Sequence, residues 1–138
     1  MILIDSSVLI RAIGSKRPSA AVEELAWIIE LGLPFAICPY VYQEVLQGVA
    51  DEAAFSKTQL YLDTQEWLWL PDNLDTYRKA AKMYWTLRRK GITVRSTIDV
   101  LIALTAIEHE AFLLHEDTDF DQIAKVFPEL KIANLRNP

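Results

Sequence analysis

Cysteine, glycine and histidine are all scarce in this chain, and each scarcity removes a class of explanation. The single cysteine, Cys38, excludes a disulfide framework and a multi-cysteine zinc site, and it has no activating motif around it. The four glycines stand apart at 14, 32, 48 and 91, so there is no glycine-rich phosphate loop. Of the two histidines, His109 sits between Glu108 and Glu110 at an expected helix end and reads as a solvated charge partner. His115 reads as a partly buried structural residue or a donor to a neighbouring carboxylate. Long apolar runs are missing too. The longest uncharged stretch, Leu31–Gln43, has 13 residues and contains Pro34 and Pro39, whereas a spanning helix needs about 20. The opening MILID carries an acid and no basic flank, unlike a signal peptide, so the cytoplasm is the expected compartment. Positive charge is also short. With 19 acids against 14 Lys and Arg the net charge is -5, the wrong sign for a nucleic-acid binder. That objection weakens if four or five of the acids surround divalent cations, because the remainder is then close to neutral. Where the acids sit therefore matters more than their total.

What is present suits one folded unit. At 138 residues, with 51% hydrophobic and 24% charged residues, the chain is expected to form a single domain over 1–138, and disorder is excluded. No repeat, low-complexity tract or linker interrupts it. Short apolar runs of the kind buried parallel strands show occur at Met1–Ile4, Phe35–Cys38, Trp67–Leu70, Phe112–His115 and Leu130–Leu135. Between them lie helical patterns at Ser19–Gly32, Tyr40–Val49 behind Pro39, Asp51–Glu66, Leu74–Lys90 before Gly91, Ser96–Glu110 and Thr118–Phe127. Alternating short strands and helices predict an α/β fold, a three-layer α/β/α sandwich around a mainly parallel sheet. In such sheets ligands bind beyond the carboxyl ends of the strands.

Acids stand at those ends. Asp5 follows the first strand, Asp117 follows the Phe112–His115 strand, and Asp119 comes two residues later. Glu44 lies in the helix after the second strand, and Asp99 in the first turn of the helix that leads to Phe112–His115. Each has a simpler reading. Asp5, Asp117 and Asp119 suit caps and turns, Ser96-Thr97-Ile98-Asp99 matches a capping box, and Glu44 suits a solvated helix face. Asp99, however, is the sole charge between Arg95 and Glu108 in an otherwise apolar helix, and a helix apolar all round is buried. An acid there needs a partner or a cation. Converging carboxylates raise one another's pKa unless a cation lies among them, and hard oxygen ligands suit Mg2+ or Mn2+.

Four segments in order resemble the PIN domain family, and within it the VapC-type ribonuclease toxins of toxin–antitoxin pairs. They are Ile2-Leu3-Ile4-Asp5-Ser6-Ser7-Val8-Leu9-Ile10, Glu44-Val45-Leu46-Gln47-Gly48, Arg95-Ser96-Thr97-Ile98-Asp99-Val100-Leu101-Ile102-Ala103 and Leu113-Leu114-His115-Glu116-Asp117-Thr118-Asp119-Phe120. The resemblance covers nearly the whole chain. It implies that Asp5, Glu44, Asp99 and Asp117 form an acidic catalytic and metal site, with Asp119 as a fifth ligand and Ser6 or Ser7 as a polar neighbour. It departs from the family at His115-Glu116-Asp117, where Thr-x-Asp is common, and Glu116 adds an acid that either competes for metal or faces solvent. The implied activity is hydrolysis of RNA phosphodiesters with Mg2+ or Mn2+ as cofactor. The implied partners are an RNA substrate and a cognate antitoxin, with a homodimer formed through Tyr40, Tyr42, Trp67 and Trp69. The tryptophans at 27, 67, 69 and 85 read as core or subunit interface. Candidate phosphate contacts are Arg11, Lys16, Arg17, Arg88, Arg89, Lys90 and Arg95, although Arg88-Arg89-Lys90 also complements a helix C-terminus. Two other classes remain open. A Toprim-type nuclease would use Asp117-Thr118-Asp119 but wants a glutamate where Asp5 stands. A non-catalytic module would be either a PIN domain that has lost an acid, and none is lost, or a receiver-like switch, which wants paired acids at Asp5.

Overall fold

A computed structural model describes residues 1–14 and 18–134. Among them the order is β1 (Ile2–Ile4), α1 (Ser6–Gly14), α2 (Ala20–Glu30), β2 (Phe35–Ala36), α3 (Pro39–Gln47), α4 (Glu52–Asp63), α5 (Leu74–Arg89), α6 (Thr97–Glu108), β3 (Phe112–Leu114), α7 (Thr118–Val126) and β4 (Lys131–Ile132). The sheet order is β2-β1-β3-β4, with every pairing parallel. The α/β architecture with a parallel sheet is thus as expected. All three β1 residues are buried, which requires cover on both faces of the sheet. The core joins Leu3, Ile4, Leu113 and Leu114 of the central strands to Ile28, Ile37, Ile102 and Phe120.

The strand order fixes where a ligand crevice opens. From β1 the chain crosses to β2 on one side, then returns past β1 to β3 on the other. The direction of winding therefore reverses at β1 and β3, and a crevice forms at the carboxyl ends of strands where it does so. Register Ile4↔Leu114 places Asp5 and His115 side by side at that edge.

Local signals account for most boundaries. Ser19, Asp51, Asn73 and Ser96 each cap a helix by accepting a backbone N–H, and Pro39 opens α3 at a position where its missing N–H costs nothing. Gly91 ends the α5 segment with φ of 77°, a conformation that favours glycine. The expected strand Trp67–Leu70 contracts to one parallel bridge, Ile37↔Trp67. The Leu68 N–H donates to the Ile37 carbonyl at 2.9 Å, and Pro71 follows within three residues, so no ladder grows. Likewise α4 stops at Asp63 instead of Glu66, because the Thr64 hydroxyl and the Gln65 amide both donate to the Tyr61 carbonyl and close its end. No helix among the described residues is long and apolar enough to cross a membrane.

Candidate active site

Asp5 leaves β1 directly into α1. Its own N–H donates to the Leu114 carbonyl at 2.9 Å, joining the ends of the two central strands. Its Oδ2 accepts the Ser7 N–H at 3.1 Å and also the Ser7 hydroxyl, while Ser7 Oγ accepts the Glu116 N–H at 3.1 Å. One oxygen thus caps α1. The other, Oδ1, is buried and has no hydrogen-bond partner among the described residues. Burial raises the Asp5 pKa, opposed by the Ser7 bonds. A buried carboxylate oxygen without a donor is costly, and a cation is one group that satisfies it.

Glu44 approaches from α3, where its Oε1 accepts the Ser6 hydroxyl at 2.9 Å. Adjacent serines therefore orient two different acids. Burial also pushes the Glu44 carboxyl up, the Ser6 bond opposes it, and the charges of Asp5 and Asp117 add to the rise. Asp99 is 8% exposed in the first turn of α6. The capping-box reading fails for it. The Ser96 side chain accepts the Ile98 N–H at 3.1 Å, but among the described residues the Asp99 carboxylate accepts no hydrogen bond and returns none to Ser96. Its pKa is pushed up to about 7, first by burial and then by the charges of Asp5, Asp117, Glu44 and Asp119. All five acids therefore share one field.

Oxygens of Asp99, Asp117 and Asp119 lie within 4.8 Å of one another. Asp117 is at once the N-cap of α7, accepting the Asp119 N–H at 2.9 Å, and a wall of this cluster. Arg95 closes the far side. Its Nη2 reaches Asp117 Oδ1 at 2.9 Å, and its Nε and backbone N–H both reach Asp119 Oδ2 at 3.2 Å. These bonds hold the Arg95 guanidinium further into its charged form. Two acids are thereby partly neutralised by the protein, whereas Asp5 Oδ1 and Asp99 are not. Carboxylates alone, one with an orphaned buried oxygen, make a donor set suited to a hard divalent cation.

Several residues take different roles from those expected. Arg95, expected as a phosphate contact, also bonds Asp117 and Asp119, with 73% of its side chain still exposed. Arg11 pairs with Glu116 at 2.6 Å, so Glu116 neither joins the cluster nor faces solvent unpartnered. Lys16 and Arg17 lie outside the described residues. His115 accepts the Asp117 N–H at Nδ1, 3.1 Å away, which leaves Nε2 as the donor toward Asp121 at 3.2 Å. His109 bonds the Trp69 carbonyl at 2.7 Å rather than its flanking glutamates. None of the four tryptophans is fully buried, and Trp69 is 62% exposed. The Cys38 thiol is buried and pushed up to about 11, so it is inert at neutral pH.

Comparison with known proteins gives one answer. A family model described as the PIN domain matches residues 2–126. Ribonuclease VapC11 of Mycobacterium tuberculosis and a VapC ribonuclease of Mycobacterium bovis are each 36% identical to this chain over 136 residues, covering 99% of it and all of their own length. Among solved structures, VapBC2 from Rickettsia felis bound to a promoter DNA fragment aligns with a TM-score of 0.70 at 22% identity, over 97% of this chain and 98% of its own. VapBC from Salmonella typhimurium, also DNA-bound, aligns at 0.70 and 18%, over 96% of each chain. These last two show the shared fold. With nearly full-length matches to both the family model and the relatives, the chain belongs to the PIN domain family, in its VapC ribonuclease branch.

Proposed function

We propose that this protein is an endoribonuclease dependent on Mg2+ or Mn2+, the toxin of a VapBC-type pair. The observation that carries this reading is the convergence of Asp99, Asp117 and Asp119, whose carboxylate oxygens lie within 4.8 Å of one another. Acids crowded this closely, with Asp99 raised first by burial and then by its neighbours' charges, and with Asp5 Oδ1 orphaned, make sense as a site built around positive charge. Asp5, Glu44, Asp99 and Asp117 would hold the ion, with Asp119 as a fifth acid; the approach of Asp99, Asp117 and Asp119 within 4.8 Å and the unpartnered Asp5 Oδ1 support this set. A bound divalent ion there supplies charge neutralisation at the phosphate and lowers the pKa of an attacking water. The protein's own part is positional. Ser7 and Ser6 fix the carboxylates of Asp5 and Glu44, and the Asp5 N–H bond to Leu114 sets the distance between the strand ends. Arg95 holds Asp117 and Asp119 and, being 73% exposed, presents its remaining N–H groups to an arriving phosphate. The relatives' names as ribonucleases support RNA as substrate, and the cytoplasm is the matching compartment.

The antitoxin partner is supported by the VapBC complexes among the structural neighbours. Its binding segment would place a basic side chain against the acidic cluster, the strong charge-assisted kind of contact. The homodimer would use the ladder Tyr42–Trp67–Trp69, whose ring centroids are 5.2 and 5.6 Å apart and which ends in the exposed Trp69. The deciding experiment is cleavage of RNA by the purified protein with Mn2+, and with EDTA. The expected result is cleavage that stops in EDTA. Cleavage that continues without metal would exclude the reading.

A further inference from the structure

Charge is divided very unevenly in this molecule. Residues 74–90 contain six of the 14 basic residues and one of the 19 acids, so this segment carries +5 while the rest carries -10. Most of it is α5. Arg78 and Lys79 are paired with Asp75 or Glu108, but among the described residues Lys82, Arg88, Arg89 and Lys90 have no carboxylate partner within 4.0 Å. Lys82 and Arg89 instead lie over an indole. Lys82 Nζ lies 4.4 Å from the Trp85 ring centre and Arg89 Cζ 4.8 Å from it, two cations over a ring that is 42% exposed. Arg78, Lys82, Trp85 and Arg89 recur at helical spacing, a stripe about 16 Å long on one face. Beside the stripe a groove of about 430 Å³ runs between α5 and α6, lined by Tyr77, Tyr84, Trp85, Arg88, Thr97 and Leu101. Thr97 is two residues from Asp99, so the groove reaches the turn that carries the candidate site.

The geometry points to this face of α5 as a docking surface for a single-stranded RNA segment. One base stacks on Trp85 in place of the Lys82 ammonium, which turns with Arg88 and Arg89 to the flanking phosphates. Unpaired cations interleaved with a pre-oriented aromatic ring match a polyanion whose bases are free to splay out. A second copy of this chain fits poorly. A two-fold interface sets the same patch against itself, and here that would oppose like charges. The assignment rests on the ribonuclease reading and says where the substrate lies outside the acidic cluster.

The test is anisotropy of a fluorescently labelled 12-nucleotide single-stranded RNA titrated with the full chain in EDTA, where no cleavage is expected. Trp85→Ala should weaken binding about tenfold, in the range for loss of one stacked base, and Trp85→Phe should restore most of it. Lys82→Gln with Arg89→Gln should lower the slope of log affinity against log salt by about 1.4, since each single-strand contact contributes about 0.7. KM for RNA cleavage should rise by the same factor as Kd. If Mn2+-dependent cleavage is present but these variants bind RNA like the wild type, the docking surface is wrong and the ribonuclease reading stands. If the protein neither cleaves nor binds RNA, both fall. If Trp85→Ala leaves RNA binding intact but converts a sedimenting dimer to monomer, the face is a self-association surface and the assignment is overturned.

Discussion

Asp99 in the first turn of α6 and the stretch that follows it along the same helix are both buried and have opposite energetics. From Val100 to Ala106 the helix sinks apolar side chains into the core, and even the Thr105 hydroxyl is satisfied by the Leu101 carbonyl at 2.7 Å. One residue earlier, Asp99 lies among four other acids, and burial first and then their charges drive its pKa to about 7. The first region lowers the free energy of the fold. The second raises it, and is held in place by the first. A site that costs stability when empty is what a cation-binding function requires, since the repulsion stored there is released when charge arrives.

Removing the charge of Asp99 breaks this contrast most sharply. Asp99→Asn should abolish metal-dependent cleavage yet leave the metal-free protein as stable as the wild type or more so, which rate assays and thermal melts together will check. A core truncation should do the reverse. Leu113→Ala, at a position with 0% exposure, should cost about 2–5 kcal/mol with or without metal, as read by urea unfolding. Next in size is the gain from metal itself. Mn2+ at a hundredfold excess over Kd should stabilise the wild type by about 2.7 kcal/mol, and Asp5→Asn should lose most of that increment in paired melts.

The comparison also has a pH signature. Asp99 binds its proton more tightly folded, at about 7, than at its ordinary 3.8. Its contribution is therefore complete below about pH 4 and disappears as pH rises through 7. The raised carboxyls of Asp5 and Glu44 act in the same direction. The metal-free protein should melt at a lower temperature at pH 8 than at pH 5, and Asp99→Asn should flatten the trend. The smallest effect belongs to Glu116, outside the cluster and paired with the half-exposed Arg11. Glu116→Gln should change stability by less than about 1 kcal/mol and leave the metal-induced shift intact.

Much of this was legible in the sequence because the signals are local. The alternation of short apolar runs with helical patterns yields the parallel sheet, and the caps and Pro39 mark helix starts within a residue or two. The position of the acids at strand ends follows from the same alternation. What local pattern could not reveal is pairing across long separations. Arg95 reads as a free cation until the fold brings it to Asp117 and Asp119, 22 and 24 residues on. Glu116 reads as a spare acid until Arg11 reaches it across 105 residues. The alternating Trp67-Leu68-Trp69-Leu70 has the composition of a strand, but strand formation also needs a neighbour on which to extend, and only Ile37 is offered. The capping readings of Asp5 and Asp117 were not rivals to the site. Each uses one oxygen for a helix start and stands at the strand-end edge with the other acids.

The pairing of β1 with β3 also constrains when the acidic edge can exist. Ile4 and Leu114 are partners although 110 residues separate them, and Asp5 reaches its final position through a bond to Leu114. During synthesis the amino-terminal acids emerge first and wait for the rest. Until the ribosome has released the segment bearing Asp117 and Asp119, the emerging chain holds an incomplete set of carboxylates. Long-range parallel pairing is slow to form, so the set is assembled among the last events of folding. The five acids therefore come together only in a chain whose distant strands β1 and β3 have already paired.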